Sequence, residues 1–585
     1  MAIEAIGANY VGMQQAQNRN LKSAQSFTSK PEFDEEKSNA SKLMLGATAL
    51  AAVVGLGIAG YKGKLGKGVQ EFLGGTKKVT TNTAEKSVNE LKLEVKSNKY
   101  TSMDWDAKPI SRKQALFEEK YPERKRLFYI HPEADKEFEV LRKKGYKINV
   151  KNLDEGKTER ECVQKTIELA RAQGYEDMKQ LIKAGKKIRT GDKVYMDYMG
   201  KAIVLFHAGT APVEEGMNIL GAHIDSPRID VKQNPLYENE GLAFLDTHYY
   251  GGVKKYQWLS IPLALHGVVI KKDGEKVEIC VGEKETDPVL VINDLLPHLG
   301  AKQREKLAKD FIDGEQMDLL IGNRPEDGEE DAVTRRIRNL LKEKYDIEEE
   351  DFLSAELEIV PAGRARECGL DNSMILAYGQ DDRVCAFTSL FAILEAEEVT
   401  RTACCLLVDK EEIGSTGASG MTSRFFENAV AEYILLNEGI EYNDIVLRRT
   451  LANSKMLSSD VSAGFDPMYE DVYEKKNAAF LACGPVFNKY TGSGGKSGSN
   501  DANPEYVAQL RKIMEDAKVH FQTAELGRVD VGGGGTIAYL MSVYGMEVID
   551  SGVAVLGMHA PWETTSKADI YEAVRCYEAF LKAEF

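Results

Sequence analysis

The 585-residue sequence predicts an α/β protein with a mixed, largely parallel sheet, interrupted by a β-rich insertion. Three observations carry that reading. From about residue 102 onward, apolar strand-like runs alternate with amphipathic helical ones, the pattern of a sheet whose crossovers are helices. Between about 233 and 376 this alternation gives way to β-rich segments joined by hairpin-type turns. The composition, 43% hydrophobic and 29% charged, provides a large core and excludes collagen-like, low-complexity and wholly disordered classes.

Taken in order, the first hundred residues stand apart. They hold 14 Lys+Arg against 9 Asp+Glu, net +5, while the whole chain carries 76 − 92 = −16, which leaves −21 for the rest. A body this acidic argues against nucleic acid as a partner, which calls for a basic face. Residues 43–61, LMLGATALAAVVGLGIAGY, form a 19-residue run without charge. At about 1.5 Å per residue that is long enough to cross a bilayer. Its five Ala and four Gly make it weakly hydrophobic, and Ala51 and Gly55 have the small-xxx-small spacing of helix–helix contacts. It is expected either to form a loosely ordered tail or to associate with a membrane or a partner helix. Lys62, Lys64 and Lys67 would then keep the body cytoplasmic. Residues 63–100 read as linker, so 1–101 is treated as an N-terminal extension.

In the body, 163–185 reads as helix and MNILGAHIDSP (217–227) as a strand running into a loop. The segments 257–270, 275–282 and 354–363 are β-type, with a helical run at 331–346. Residues 381–396 read as a helix with Val384, Phe387, Phe391 and Leu394 on one face. RTACCLLVDKEE (401–412) reads as a buried strand that ends in charge, and 446–460 and 548–561 have the same form. This divides the body into a discontinuous domain, 102–232 plus 377–585, and an inserted one, 233–376. The eight cysteines form no CxxC pair and read as reduced thiols of a reducing compartment, which points to the cytoplasm.

The chemistry lies at the ends of the apolar runs. His223, the Glu411–Glu412 pair, Asp460 and His559 each follow one, and Asp381–Asp382 opens a helix. Open α/β sheets place their sites at the carboxyl ends of strands, so these residues can converge across 336 positions (559 − 223). Two histidines among carboxylates suit zinc or a similar divalent ion. A two-metal centre needs a bridging carboxylate and a base, and adjacent glutamates can serve as ligand and base. Asp225, two residues beyond His223, is placed to fix its imidazole. His131, His207, His248, His298 and His520 lack such a context and read as structural, while burial statistics make His266 a core histidine. The glycine run in 531–539 lacks the P-loop lysine, and 491–500 reads as a flexible loop.

The segments GAHIDSPR, GQDDRVCAF, DKEEIGSTGASG, SSDVSAGFDP and GMHAPWE together resemble the aspartyl-aminopeptidase/aminopeptidase I family of dinuclear zinc metallo-aminopeptidases, from about residue 102 to the C-terminus. The resemblance implies a zinc-exopeptidase-like catalytic domain interrupted by a β-rich dimerisation domain. It implies two divalent ions per subunit, zinc first, with cobalt or manganese compatible with the same ligands. His223 and Asp460 would hold one ion and Glu412 and His559 the other, with Asp381 bridging, Glu411 as general base and Asp225 orienting His223. Asp382 departs from the Asn often found beside the bridging Asp. By the same resemblance His266 would reach into a neighbouring active site and Lys489 would contact substrate. The implied activity is removal of the N-terminal residue from short peptides, in a dimer-based homo-oligomer up to a dodecamer. Two alternatives stay open: another metal-dependent amide hydrolase (deacylase or carboxypeptidase) and a non-catalytic membrane-tethered scaffold.

Overall fold

The apolar runs become the centre of a nine-stranded sheet in the computed structural model, which describes residues 150–327, 331–492 and 494–585. The 1–101 extension, its 43–61 segment and His131 lie outside the described residues. The strand order is Glu176–Asp177, Lys193–Tyr198, Ala202–His207, Thr402–Val408, Met217–His223, Lys455–Ser458, Glu547–Gly552, Val486–Asn488 and Gln522–Thr523. The four strands in the middle, from 402–408 to 547–552, run parallel.

Why those strands read as unbroken apolar runs is visible in where each residue goes. Along TACCLLV, Ala403, Cys405 and Leu407 enter one core, and Cys404, Leu406 and Val408 enter the other. Both faces of the sheet are covered, so 403–408 carry no polar side chain, and Thr402 at the start of the strand satisfies its hydroxyl on Tyr433. Helices Gln380–Leu394 and Lys567–Leu581 pack on the first face. Helices Phe425–Leu436 and Asp444–Asn453 pack on the second, giving three layers.

Three local expectations are corrected. The helix at 380–394 is buried on every side, not along one stripe, because it lies between the sheet and the 567–581 helix. The segment 163–185 splits into Glu159–Ala172 and Met178–Ala184. Thr158 and Glu161 form a capping box at the start of the first, and Gly174, at φ 83°, turns the chain after its end. The segment 446–460 is mostly helix: Asn443 accepts the N–H groups of Ile445 and Val446, and only Lys455–Ser458 is strand.

The inserted region forms a second, seven-stranded sheet that is antiparallel throughout, from Arg228–Asn239 to Ala355–Pro361. It has its own core around Ile229, Trp258, Leu263 and Ile359. The sheet begins at Arg228 rather than 233 and ends at Pro361 rather than 376. Arg366–Cys368 and Met374–Ala377 join a third sheet, where Met374–Ala377 pairs with Glu563–Ser566. Period-2 patterning marks a strand without saying which sheet it enters, so a boundary drawn from composition misses this. No helix among the described residues is long and apolar enough to cross a membrane.

Candidate metal centre

The parallel strands deliver the charged residues to one place. His223 is the last residue of its strand. The neighbouring strand, 402–408, is followed by Lys410, at φ 68°, and a short turn over Glu411–Ile413. The left-handed residue swings both glutamates back toward His223. Asp225 accepts them there, with the Glu411 N–H on Oδ1 and the Glu412 N–H on Oδ2, each at 3.1 Å. Tyr250, from the inserted module, donates its hydroxyl to Asp225 Oδ2 at 2.9 Å.

Asp381 lies between the two histidines. Its Oδ1 is 3.2 Å from His223 Nε2, and its Oδ2 is 3.2 Å from His559 Nε2. His559 Nε2 is also 3.4 Å from Glu412 Oε1, and His223 Nε2 is 3.9 Å from Glu411 and 4.0 Å from Asp460. Donor atoms of His223, Asp382 and Asp460 lie within 4.8 Å of one another, as do those of Asp381, Glu412 and His559. The peptide bond between Asp381 and Asp382 is cis.

The tautomers follow from the hydrogen bonds. His223 Nδ1 faces the Asp225 carbonyl at 3.0 Å, and His559 Nδ1 faces the Gly252 carbonyl at 3.0 Å. A carbonyl only accepts, so each Nδ1 carries a proton, and each Nε2 is the nitrogen left to face the carboxylates. A lone pair and a carboxylate oxygen 3.2 Å apart repel unless a cation or proton lies between them. The separations of 3.2, 3.2 and 3.4 Å match the edge of a tetrahedron, about 3.3 Å, around an ion with bonds of about 2.0–2.1 Å. Among the described residues, Oε1 of Glu412 has no hydrogen-bond donor, and buried Asp382 has only the weak thiol of Cys385. The residues present therefore fit a divalent metal centre.

Burial governs the charges. It pushes the Glu411 carboxyl up to about 7, and Glu412, Asp382 and Asp460 also rise well above the ordinary carboxylate range. Burial acts the same way on Asp381, but its bonds to His223 and His559 outweigh it and hold this carboxyl below the usual range. Desolvation would lower His559, yet Asp381 and Glu412 lift it to about 10.

Seven of the nine residues singled out in the sequence thus meet in one cluster: His223, Asp225, Asp381, Glu411, Glu412, Asp460 and His559. Two have partners elsewhere. His266 is buried, with Nδ1 2.7 Å from Glu161 and Nε2 3.2 Å from Glu283, so both ring nitrogens are taken within the chain. Lys489 is half exposed and pairs with Asp501 at 3.5 Å. Sequence reasoning missed Tyr250 and Glu563. Glu563 accepts the His559 N–H at 2.7 Å and the Asp381 N–H at 3.0 Å. Its signal was available, since it stands four residues after His559 inside GMHAPWE. Tyr250 precedes Gly251 and Gly252, and a Cβ on Gly252 would lie 3.1 Å from His559 Nδ1. Glycine there lets the module's main chain reach the imidazole.

Comparison with known proteins agrees with this geometry. The model of the aminopeptidase I zinc metalloprotease family (M18) matches residues 152–581. A probable M18 family aminopeptidase 1 from Clostridium acetobutylicum is 58% identical over 427 residues, 73% of this chain and 91% of its own. The crystal structure of an M18 aminopeptidase from Thermotoga maritima superposes with a TM-score of 0.74 at 42% identity, covering 79% of this chain and 99% of that one. A structure described as the S. cerevisiae mApe1 dodecamer shares the fold at 19% identity, with a TM-score of 0.60, over 74% of this chain and 95% of its own.

Proposed function

Since the chain belongs to the aminopeptidase I (M18) family of zinc metalloproteases and is itself an aminopeptidase, we propose that it releases single N-terminal residues from short peptides at a two-metal centre built on Asp381. His223 and Asp460 would hold one ion, with Asp382 beside them, and Glu412 and His559 would hold the other. Zinc is the family metal, and cobalt or manganese suits the same ligands. The observation that carries this reading is the two-sided placement of Asp381, 3.2 Å from each imidazole. Bound ions would supply Lewis-acid polarisation of the scissile carbonyl and lower the pKa of a water molecule.

The chain's own part is positioning and proton transfer. Glu411, with its carboxyl lifted to about 7 by burial, takes a proton from the attacking water and delivers it to the leaving amine nitrogen. Asp225 holds the Glu411–Glu412 turn by two main-chain bonds, and Tyr250 holds Asp225. The Asp225 and Gly252 carbonyls hold a proton on Nδ1 of His223 and His559, so Nε2 is the nitrogen that would face an ion once that ion displaces its proton.

We assign the residues on either side of the inserted sheet to catalysis and the module at 228–361 to dimerisation within a homo-oligomer. Exposed Leu295, Leu296, Leu299 and Leu307 on the inserted module support this, as does the yeast relative described as a dodecamer. The eight cysteines form no disulfide and six are buried, which supports a reducing, cytoplasmic setting.

The test is turnover of Asp-, Glu-, Leu-, Lys- and Ala-peptides, each with and without an N-acetyl block. It is run with chelator and then with zinc, manganese or cobalt restored. Chelator-sensitive release from free-amine substrates alone is expected. Release from the blocked series would make the protein a deacylase, and no release under any metal would favour a scaffold.

A further inference from the structure

Glu563 joins the two ligand-bearing loops through their main chain. Its side chain is buried, and its two oxygens serve two different residues: Oε1 accepts the His559 N–H at 2.7 Å and Oε2 accepts the Asp381 N–H at 3.0 Å. Both donors sit where regular secondary structure would not pair them. Asp381 has non-helical φ −80° and ψ 104° at the start of its helix, and His559 has φ 64°, a region that costs a non-glycine residue free energy. The main chain of Glu563 is anchored independently of its carboxylate. It pairs with Ala377 in the third sheet, and its carbonyl accepts Gln380 Nε2 at 2.6 Å. Gln380 also bonds the Ile375 carbonyl at 3.1 Å and accepts the Thr565 hydroxyl.

We propose that Glu563 is a positioning residue that clamps the main chain of Asp381 to that of His559 and so sets the spacing of the two metal sites. The inference rests on the two-metal reading above. Glutamate suits the task because its carboxylate presents two acceptors to two donors. Glutamine keeps the volume but turns an N–H toward one of those donors, and buried donor against donor leaves both unsatisfied. Neither N–H belongs to a ligand side chain, so the carboxylate acts on the metals only through main-chain geometry.

The full chain is compared with Glu563→Gln and Glu563→Asp. Zinc affinity is read by competition with a chromogenic chelator, and site geometry by the visible spectrum of the cobalt-loaded protein. Glu563→Gln is expected to weaken zinc binding about 10–100-fold and to change the cobalt spectrum, while the metal-free protein still melts cooperatively. Glu563→Asp keeps both acceptors on a shorter arm and should recover part of the affinity. Zinc affinity within threefold of wild type in Glu563→Gln, with an unaltered cobalt spectrum, overturns the clamp. If Glu563→Gln does not fold, Glu563→Asp decides: a weakened zinc site supports the clamp, and an unchanged one overturns it. A wild-type chain that binds no zinc would overturn the two-metal reading as well, whereas wild-type binding with both variants unaffected overturns the clamp alone.

Discussion

Two buried groups of carboxylates lie close together in this protein, and they are neutralised in different ways. One is the metal centre, where Asp381, Asp382, Glu411, Glu412 and Asp460 face two imidazoles. Among the described residues no lysine or arginine pairs with any of the five. The other is the seam between the catalytic layers and the inserted module, where Glu159, Glu356, Glu358, Asp230 and Asp409 gather. Here the cations come from the chain. Arg228 meets Glu159 at 3.2 Å, Asp230 at 2.8 Å and Glu358 at 3.5 Å, while Lys201 meets Glu159 at 3.0 Å and Glu356 at 2.9 Å. Arg160 closes the network on Glu356 at 2.8 Å. A cluster of acids is thus no sign of a metal site in itself. What distinguishes the centre is its two imidazoles and, among the described residues, the lack of a lysine or arginine partner, since buried oxygens without a donor occur in both groups.

That contrast can be broken at several points. The largest effect is expected at the base: Glu411→Gln should lower kcat/KM by about 10³-fold or more while metal per chain, measured by mass spectrometry, stays near normal. His223→Ala or His559→Ala should instead lose metal and turnover together, and full metal content in either would remove that residue from the ligand set. At the seam, Arg228→Met should cost about 3–5 kcal/mol of unfolding free energy, because it strands Glu159 and Glu358 without their partner. Denaturant titration measures this, and added zinc should not restore it. At the centre the missing cation can be returned. Zinc at a hundredfold excess over its dissociation constant should stabilise the chelator-stripped protein by about 2.7 kcal/mol, read from its melting curve. A seam variant that zinc rescued would collapse the distinction.

The smallest effect concerns His266, lifted to about 9 because Glu161 and Glu283 outweigh the desolvation that opposes its charge. A histidine raised on folding contributes stability that is complete below about 6.5, its unfolded value, and lost as pH rises through about 9. The stability difference between wild type and His266→Gln should therefore shrink between pH 6.5 and 10, by at most about 3 kcal/mol. A difference constant over that window would mean that His266 is neutral in the fold.

Much of this was legible in the sequence because its causes are local. ACCLLV (403–408) needs apolar residues at every position when both sheet faces are covered, so the strand and its buried setting were both visible. The ligands stood out because charge at the end of such a run has few structural uses. Elements whose causes are distant were harder to read. Asn443 converts 444–453 into a helix within a stretch whose apolar content suggested strand. Residues 374–377 look like part of the insertion, yet they pair with 563–566, almost two hundred positions away. His266 sits where its apolar context placed it, in the interior, and the two carboxylates that hold it there come from positions 161 and 283, which the context did not reveal. Tyr250 and Glu563 act through hydrogen bonds to Asp225 and to main-chain N–H groups, and composition does not reveal such partners.

The turn at Tyr250–Gly252 has a consequence for anyone who would recombine this enzyme. The inserted module ends one of its strands against the catalytic histidine and contributes a hydroxyl and a carbonyl to the residues that hold the centre. It cannot be treated as a detachable cassette. A chimaera that exchanges the module with a relative's must carry the Tyr-Gly-Gly triplet across intact, and one that replaces the module with a short linker loses the carbonyl on His559 and the hydroxyl on Asp225.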